Sequence, residues 1–207
     1  MPPDHHSADS SPQGGAAAGL SLRELAELIR EDYVTHDRDW TLPGLHAVVL
    51  QRLGAWRLGL PPGMRRKSVS LVYKGLFPLL RNMYGIQIPD ATRLGRRVKI
   101  LDQGGIVVDS SVSIGDGCMI GHGVTIGHAT VESGAPRIGA GVEVNVGAVL
   151  IGPINVGDGA KIGPNAVVVA DVPAGSTVFA PPARRMPARG DRDQSETAAR
   201  DDASAAK

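Results

Sequence analysis

Two residues with acid–base side chains, Asp102 and His122, stand twenty positions apart in the middle of the chain. Imidazole ionises near neutral pH and can take a proton from a hydroxyl, whereas an isolated aspartate ionises at about pH 4. A carboxylate beside an imidazole fixes its tautomer and stabilises its charged form. The two residues would therefore form a general-base pair, with His122 as the base and Asp102 as its orienter. The alternative is that His122 is a solvent-facing turn residue and Asp102 a corner residue.

A six-residue repeat is what brings these two positions together. An aliphatic residue recurs at nearly every sixth position across residues 94–168, and glycine is common at the second and fourth positions of each unit. This period is typical of a parallel β-helix, in which each unit forms one flat face and three faces close a triangular coil. The unit that begins at Ile100 is two residues longer than usual, so Ile120 stacks on Ile100. His122 is then expected over Asp102, about 4.8 Å along the axis.

The only cysteine of the chain, Cys118, occupies the fifth position of its repeat, which points inward close to a corner. A single cysteine excludes an internal disulfide. A buried apolar thiol is poorly ionised, so the pattern predicts a structural residue rather than a nucleophile.

Helical patterns precede the repeat. Ser21-Leu22-Arg23-Glu24 has the spacing of a capping box, and the apolar residues after it predict a helix. Residues 45–58 and 69–83 predict two more amphipathic helices, separated by the breaker Gly59-Leu60-Pro61-Pro62-Gly63. Between Trp40 and Pro89 there is no acidic residue but there are seven basic ones, Arg52, Arg57, Arg65, Arg66, Lys67, Lys74 and Arg81. A solvated helical face is the favoured interpretation, and an acidic partner or a membrane surface is the alternative.

These patterns divide the chain into four parts. Residues 1–19 and 188–207 have compositions typical of disorder, residues 20–86 form a helical domain, and residues 87–187 form the β-helix domain. The net charge of +1 gives no general signature of nucleic-acid binding. The N-terminus lacks an apolar signal segment, and no run approaches the roughly 20 apolar residues of a membrane span. We therefore expect a cytoplasmic protein.

The order of helical segment, hexapeptide coils and a closing Pro182-Ala183-Arg184 resembles the serine O-acetyltransferases of the hexapeptide acyltransferase superfamily. The resemblance runs over about residues 23–186. It implies an α+β fold in which an N-terminal helical segment is followed by a left-handed parallel β-helix. It also implies a homotrimer or a dimer of trimers, with acetyl-CoA in a groove between adjacent subunits and no metal. The motifs that carry it are Arg38-Asp39, Gly44-Leu45-His46-Ala47, Arg52, Trp56, Tyr84-Gly85, Gly105-Ile106-Val107-Val108, Val124-Thr125-Ile126-Gly127 and Gly159-Ala160-Lys161-Ile162-Gly163.

The family's usual catalytic residues are substituted in this sequence. An ungapped alignment through Gly105-Ile106-Val107-Val108 matches the family's catalytic histidine to Asp102 and its carboxylate partner to Gln87. A one-residue gap matches that histidine to Gln103 instead, so the histidine is missing either way. The Arg-His pair of the family's long loop falls on Gly134-Ala135.

Other family positions are matched or changed. The resemblance implies substrate binding by Asp39 and a CoA groove lined by Val146 and Pro164, with Lys161 nearby. Val146 and Pro164 also continue the column of Asp102 and His122, if residues 129–137 form a corner excursion.

The repeat and the resemblance together predict an acyl-CoA-dependent O-acyltransferase that moves an acetyl group from acetyl-CoA to the hydroxyl of serine or a serine-like small molecule. His128, at the same unit position one face later, is a second candidate base. A metal site from Asp102, His122 and His128 has no supporting local spacing. His46 is expected to pack or cap.

Two other functions remain open. A specialised-metabolite acyltransferase could take its acyl group from an acyl carrier protein, whose acidic surface would suit the basic stretch. A catalytically silent hexapeptide scaffold or regulatory subunit would explain the missing dyad. A nucleic-acid partner ranks last, because the basic residues lack interleaved aromatic platforms.

Overall fold

The computed structural model describes residues 19–102, 104–128, 130 and 134–182. Within them, helices α1 (Leu22–Thr35), α2 (Pro43–Leu58) and α3 (Met64–Tyr84) precede a series of short strands. The segments expected to be disordered lie outside the described residues, apart from Gly19, and so do Gln103, Ala183 and Arg184. No helix in the described part of the chain is long and apolar enough to cross a membrane.

The helical boundaries follow local sequence signals. Ser21 caps α1 as expected, because its hydroxyl accepts from the amide of Glu24 while the Glu24 carboxylate accepts from the Ser21 amide. α3 begins directly after Gly63, five residues before the expected start at Val69. It ends at Gly85, whose φ of 65° is the left-handed conformation that glycine adopts at helix C-termini.

The strands form the three faces of a left-handed parallel β-helix. Face A contains β1 (Ile86–Gln87), β4 (Ile106–Val108), β7 (Thr125–Gly127), β10 (Val149–Ile151) and β13 (Val167–Val168). Face B contains β2 (Arg93–Leu94), β5 (Ser113–Ile114), β8 (Arg137–Ile138) and β11 (Asn155–Val156). Face C contains β3 (Lys99–Ile100), β6 (Met119–Ile120), β9 (Glu143–Val144), β12 (Lys161–Ile162) and β14 (Thr177–Val178). The fold predicted from the repeat is confirmed.

The repeat's aliphatic residues fill the coil. Ile114, Ile120 and Ile126 lie on faces B, C and A and are all buried, as the six-residue period requires. Burying one such side chain stabilises the folded state by about 1.5–3 kcal/mol. The stacked rows together form the main core. Cys118 is buried among them, where desolvation raises the pKa of its thiol to about 11 and its Sγ lies 3.1 Å from the carbonyl oxygen of Gly139. It is a structural cysteine.

The helices close the first coil. Arg52 is completely buried; it pairs with Asp32 and donates to the carbonyl oxygens of Leu94 and Gly95. These carbonyls belong to the outermost strand of face B, which has no further strand to bond. The guanidinium supplies donors to both carbonyls and to the Asp32 carboxylate at once. The expectation that Arg52 lies on a solvated face is therefore wrong, because the edge of the β-helix needs its donors.

Face C is closed in the same way. The amide of Ile100, on the edge strand β3, donates to Nε2 of the buried His36 at 3.2 Å. The Nδ1 of His36 lies 2.8 Å from the carbonyl oxygen of Asp32 and donates to it, so the ring is neutral. Burial lowers the pKa of His36, which maintains that state. α1 and α2 thus cover two open edges of the coil.

Candidate functional site

Four residues stack in an exposed column at the corner between faces C and A. Ile100 pairs with Ile120, Ile120 with Val144, and Val144 with Ile162. Two residues further along each strand stand Asp102, His122, Val146 and Pro164, all exposed. The backbone continues the stacking, because Gly147 donates to the carbonyl of His122 and Asn165 donates to that of Val146. The structure therefore brings together the column derived from the repeat.

The first two residues of this column, Asp102 and His122, are placed to act as a base and its orienter. His122 Nδ1 lies 3.4 Å from Asp102 Oδ2, and the two side chains are 48% and 61% exposed. That distance is long for a hydrogen bond, and water screens the pair. The carboxylate faces Nδ1, so a proton held on Nδ1 would leave Nε2 as the basic atom.

His128 is paired with a residue that the sequence argument missed. Its Nδ1 lies 3.4 Å from Asp109 Oδ2, and the side chains are only 30% and 28% exposed. The Asp109 carboxylate also accepts from the amide and the hydroxyl of Ser111, and these bonds hold its pKa below the usual value. The repeat register contained the signal, since Val108 pairs with Ile126 and Asp109 therefore adjoins the strand that leads to His128.

The two histidines stand at opposite corners of face A. Six residues of mainly extended chain separate them, roughly 20 Å at about 3.3 Å per residue. His122 and His128 of one subunit therefore do not share a site. The structure does not assemble the Asp102, His122 and His128 metal set, and among the described residues no group of three or more His, Cys, Asp or Glu could hold a metal ion.

Asp39 lies in the loop that joins α1 to α2. Its carboxylate accepts from the amide and the hydroxyl of Thr41 at 2.8 and 2.7 Å, which lowers its pKa. The first turn of α2, directly after this loop, packs on the coil, because a Cβ at Gly44 would lie 2.6 Å from the carbonyl oxygen of Ile100. Only glycine fits this contact. The loop therefore rests on strand β3, two residues before Asp102.

The remaining helical histidine, His46, contacts the protein through both nitrogens of its ring. His46 Nε2 lies 2.7 Å from the carbonyl oxygen of Trp40, and its Nδ1 lies 3.1 Å from the hydroxyl of Tyr84. Both ring nitrogens are thus engaged by the protein. This agrees with the expectation that His46 packs rather than catalyses.

The residues matched to the CoA groove lie on face C and its corner. Val146 and Pro164 are exposed in the column above His122. Lys161 projects from β12 and pairs with Glu143 at 2.8 Å. An anionic ligand would have to compete with Glu143 for this ammonium group.

Solved structures resemble this fold. Serine acetyltransferase isoform 3 from Entamoeba histolytica, in complex with cysteine, aligns with a TM-score of 0.66 and 21% identity over 83% of this chain and 64% of its own. The Brucella abortus strain S19 serine acetyltransferase in complex with coenzyme A gives 0.65 and 30% over 79% and 68%. The Neisseria gonorrhoeae enzyme in complex with serine gives 0.64 and 26% over 79% and 69%. No family model and no curated protein sequence matches the chain.

A left-handed parallel β-helix built from six-residue units is the architecture of the hexapeptide-repeat class of fold, and here a helical segment closes its first coil. The chain belongs to the hexapeptide-repeat acyltransferase superfamily as a divergent, serine acetyltransferase-like member. It spans just under two thirds of the length of the Entamoeba enzyme, whose 21% identity indicates the fold alone.

Proposed function

We propose that the protein is an acyl-CoA-dependent O-acyltransferase that moves an acetyl group from acetyl-CoA to a small hydroxylated acceptor such as serine. The contact between His122 and Asp102, 3.4 Å apart in an exposed column of a serine acetyltransferase-like fold, carries this proposal. The Brucella enzyme binds coenzyme A and the Neisseria enzyme binds serine in their crystals, which supports the two substrate classes.

The proposed reaction needs one proton relay. Nε2 of His122 accepts the proton of the acceptor hydroxyl as its oxygen attacks the thioester carbonyl. The tetrahedral intermediate then collapses and the carbon–sulfur bond breaks. The thiolate of CoA accepts from the imidazolium the proton that the acceptor hydroxyl gave up. The Asp102 carboxylate accepts a hydrogen bond from the Nδ1–H group throughout and stabilises the imidazolium. The products are the acyl ester and CoA.

The surroundings of the column suit the two substrates. Val146 and Pro164 offer an apolar surface for the pantetheine arm, and Lys161 offers a cation near it. The Asp39 carboxylate, whose pKa is lowered by its bonds from Thr41, would pair with the amino group of a serine-like acceptor. A homotrimer or a dimer of trimers would complete the groove, because each β-helix face is a flat surface suited to cyclic packing.

Ligand binding and turnover test this function separately. Acetyl-CoA and CoA should each raise the melting temperature of the full chain, because a ligand that binds only the folded state stabilises it by mass action. CoA release should then depend on a hydroxylated acceptor, with serine compared against alanine as the matched compound lacking the hydroxyl. No thermal shift with any thioester would favour a catalytically silent scaffold or regulatory subunit.

An acyl carrier protein as donor is the second candidate, and α3 favours it. Lys67, Lys74 and Arg81 follow one another at seven-residue spacing on an exposed face of this helix. Carrier proteins with acidic surfaces would complement such a stripe. Acyl transfer from a carrier-bound donor, without turnover of free acetyl-CoA, would favour this alternative. Substituting the three cations by glutamine would then slow the reaction most at low salt.

A further inference from the structure

A polar cavity of about 580 Å³ lies on face B, away from the His122 column. Strand pairing stacks Arg93 on Ser113, Ser113 on Arg137, and Arg137 on Asn155, and all four line this cavity. Ser110 and Ser111 line it from the corner between faces A and B. The wall thus combines guanidinium, hydroxyl and amide groups.

The lining carries positive charge without an acidic residue among its described members. Arg93 forms no ion pair with any other residue that the structure describes. Arg93 and Arg137 flank Ser113 from the two neighbouring strands, roughly 10 Å apart at the backbone. The Arg93 side chain is long enough to reach a group bound above the hydroxyl of the neighbouring Ser113. Guanidinium and hydroxyl donors together favour carboxylate or phosphate oxygens.

The cavity wall is continuous with the second histidine pair. Ser111 lines the cavity and donates two hydrogen bonds to Asp109, whose other carboxylate oxygen lies 3.4 Å from Nδ1 of His128. Through these contacts, a group bound against Ser111 would alter the surroundings of His128. No such connection links the cavity to His122, which stands at the opposite corner of face A.

We propose that this cavity is a binding site for a small molecule that bears an oxyanion, either a carboxylate or a phosphate group. Arg93 and Ser113 hold the oxyanion, and the contacts from Ser111 through Asp109 connect the bound molecule to His128. The site is separate from the His122 column and does not depend on acyl transfer.

The test is a titration of the full-length protein with inorganic phosphate and, separately, acetate, at constant ionic strength. Proton NMR follows the imidazole resonances, with His128 assigned by its loss in His128→Ala. At least one of the two anions should shift the His128 resonance saturably and leave that of His122 in place. Tighter binding of phosphate would indicate a phosphorylated ligand, and tighter binding of acetate a carboxylate ligand.

Variants identify the site. Arg93→Gln should weaken the binding about tenfold or more, because it removes a charge-assisted pair of hydrogen bonds. Arg30→Gln is the matched control, since it removes the same charge from an exposed position on α1 and should leave affinity unchanged. Ser113→Ala should weaken binding about threefold to tenfold. Absence of saturable shifts with both anions, or equal affinity in Arg93→Gln and the wild type, would overturn the proposal. Thermal shifts with CoA report separately on the acyltransferase function.

Discussion

Replacing His122 by alanine should lower the rate of CoA release at least about a hundredfold, the usual effect of removing a general base. At 25 °C that factor corresponds to about 2.7 kcal/mol of activation free energy. The imidazole is half exposed, so the free energy of unfolding should change by no more than about 0.5 kcal/mol. The variant should therefore keep its oligomeric state and its thermal shift with CoA.

Asp102→Asn should have a smaller effect, and the geometry sets its size. The carboxylate is 61% exposed and lies 3.4 Å from Nδ1, so its attraction to the imidazolium is screened by water. Such pairs contribute about 0–1 kcal/mol, which corresponds to at most about a fivefold loss of rate. A much larger loss of rate would mean that substrate or a neighbouring subunit excludes water from the site and so strengthens the attraction between Asp102 and the imidazolium.

The assay is colorimetric detection of the CoA thiol, and the chain itself interferes little because its only cysteine is buried. His128→Ala is the comparison, since it removes the same side chain from the other corner of face A. Full activity in His122→Ala with loss in His128→Ala would show that the column argument selected the wrong histidine. If both variants remain active, neither imidazole is the base.

Three further predictions concern stability and assembly. Arg52→Met should lower the free energy of unfolding by about 3–5 kcal/mol in chemical denaturation, because Asp32 is left charged and buried. Adding Asp32→Leu should recover the part due to the buried charge but not the part due to the Leu94 and Gly95 carbonyls, which still lack the donors of Arg52. Since burial lowers the pKa of His36, the unfolded chain takes up a proton first, so stability should fall as the pH drops below about 6.5 and this slope should flatten in His36→Gln. Light scattering should give three subunits or a multiple of three, and a stable monomer at micromolar concentration would contradict the proposed assembly.

The β-helix was predictable because its period specifies every inward position. Each six-residue unit places one aliphatic residue in the core, so counting along the chain also gives the register between coils. The longer unit after Ile100 could be recognised in the same way, and it places His122 over Asp102. In this fold the residues that stack in successive coils are separated by a regular number of positions in the sequence, which is rarely true of other folds.

The helical part was less predictable, because its contacts follow no period. In the sequence Arg52 is one of several cations in a basic stretch. In the structure it is buried, because the carbonyls at the open edge of face B accept its hydrogen bonds. Nothing near Arg52 in the sequence identifies Asp32 or Leu94 as its partners. The need for donors at the end of the coil becomes visible only when the edge strands are known.

Asp109 was missed for a different reason. The column of Asp102 and His122 consists of positions that stack directly, two residues after each aliphatic residue, and Asp109 is not one of these positions. Asp109 contacts His128 diagonally, from the coil below, and its orientation depends on hydrogen bonds from Ser111 within the same turn. The register predicts both carboxylate–imidazole pairs only when diagonal neighbours are counted together with residues that stack directly.

The helical edge contacts also constrain where an acceptor could bind. His36 and Gly44 fix both ends of the loop that carries Asp39 against Ile100, on the edge strand of face C. Asp102 follows that strand by two residues. The same contacts that close the coil therefore hold the proposed acceptor-binding carboxylate on the side of the molecule where the His122 column begins. On this argument a bulky residue at Gly44 should impair acceptor binding before it impairs the binding of CoA, whose proposed contacts lie farther along the coil at Val146 and Pro164.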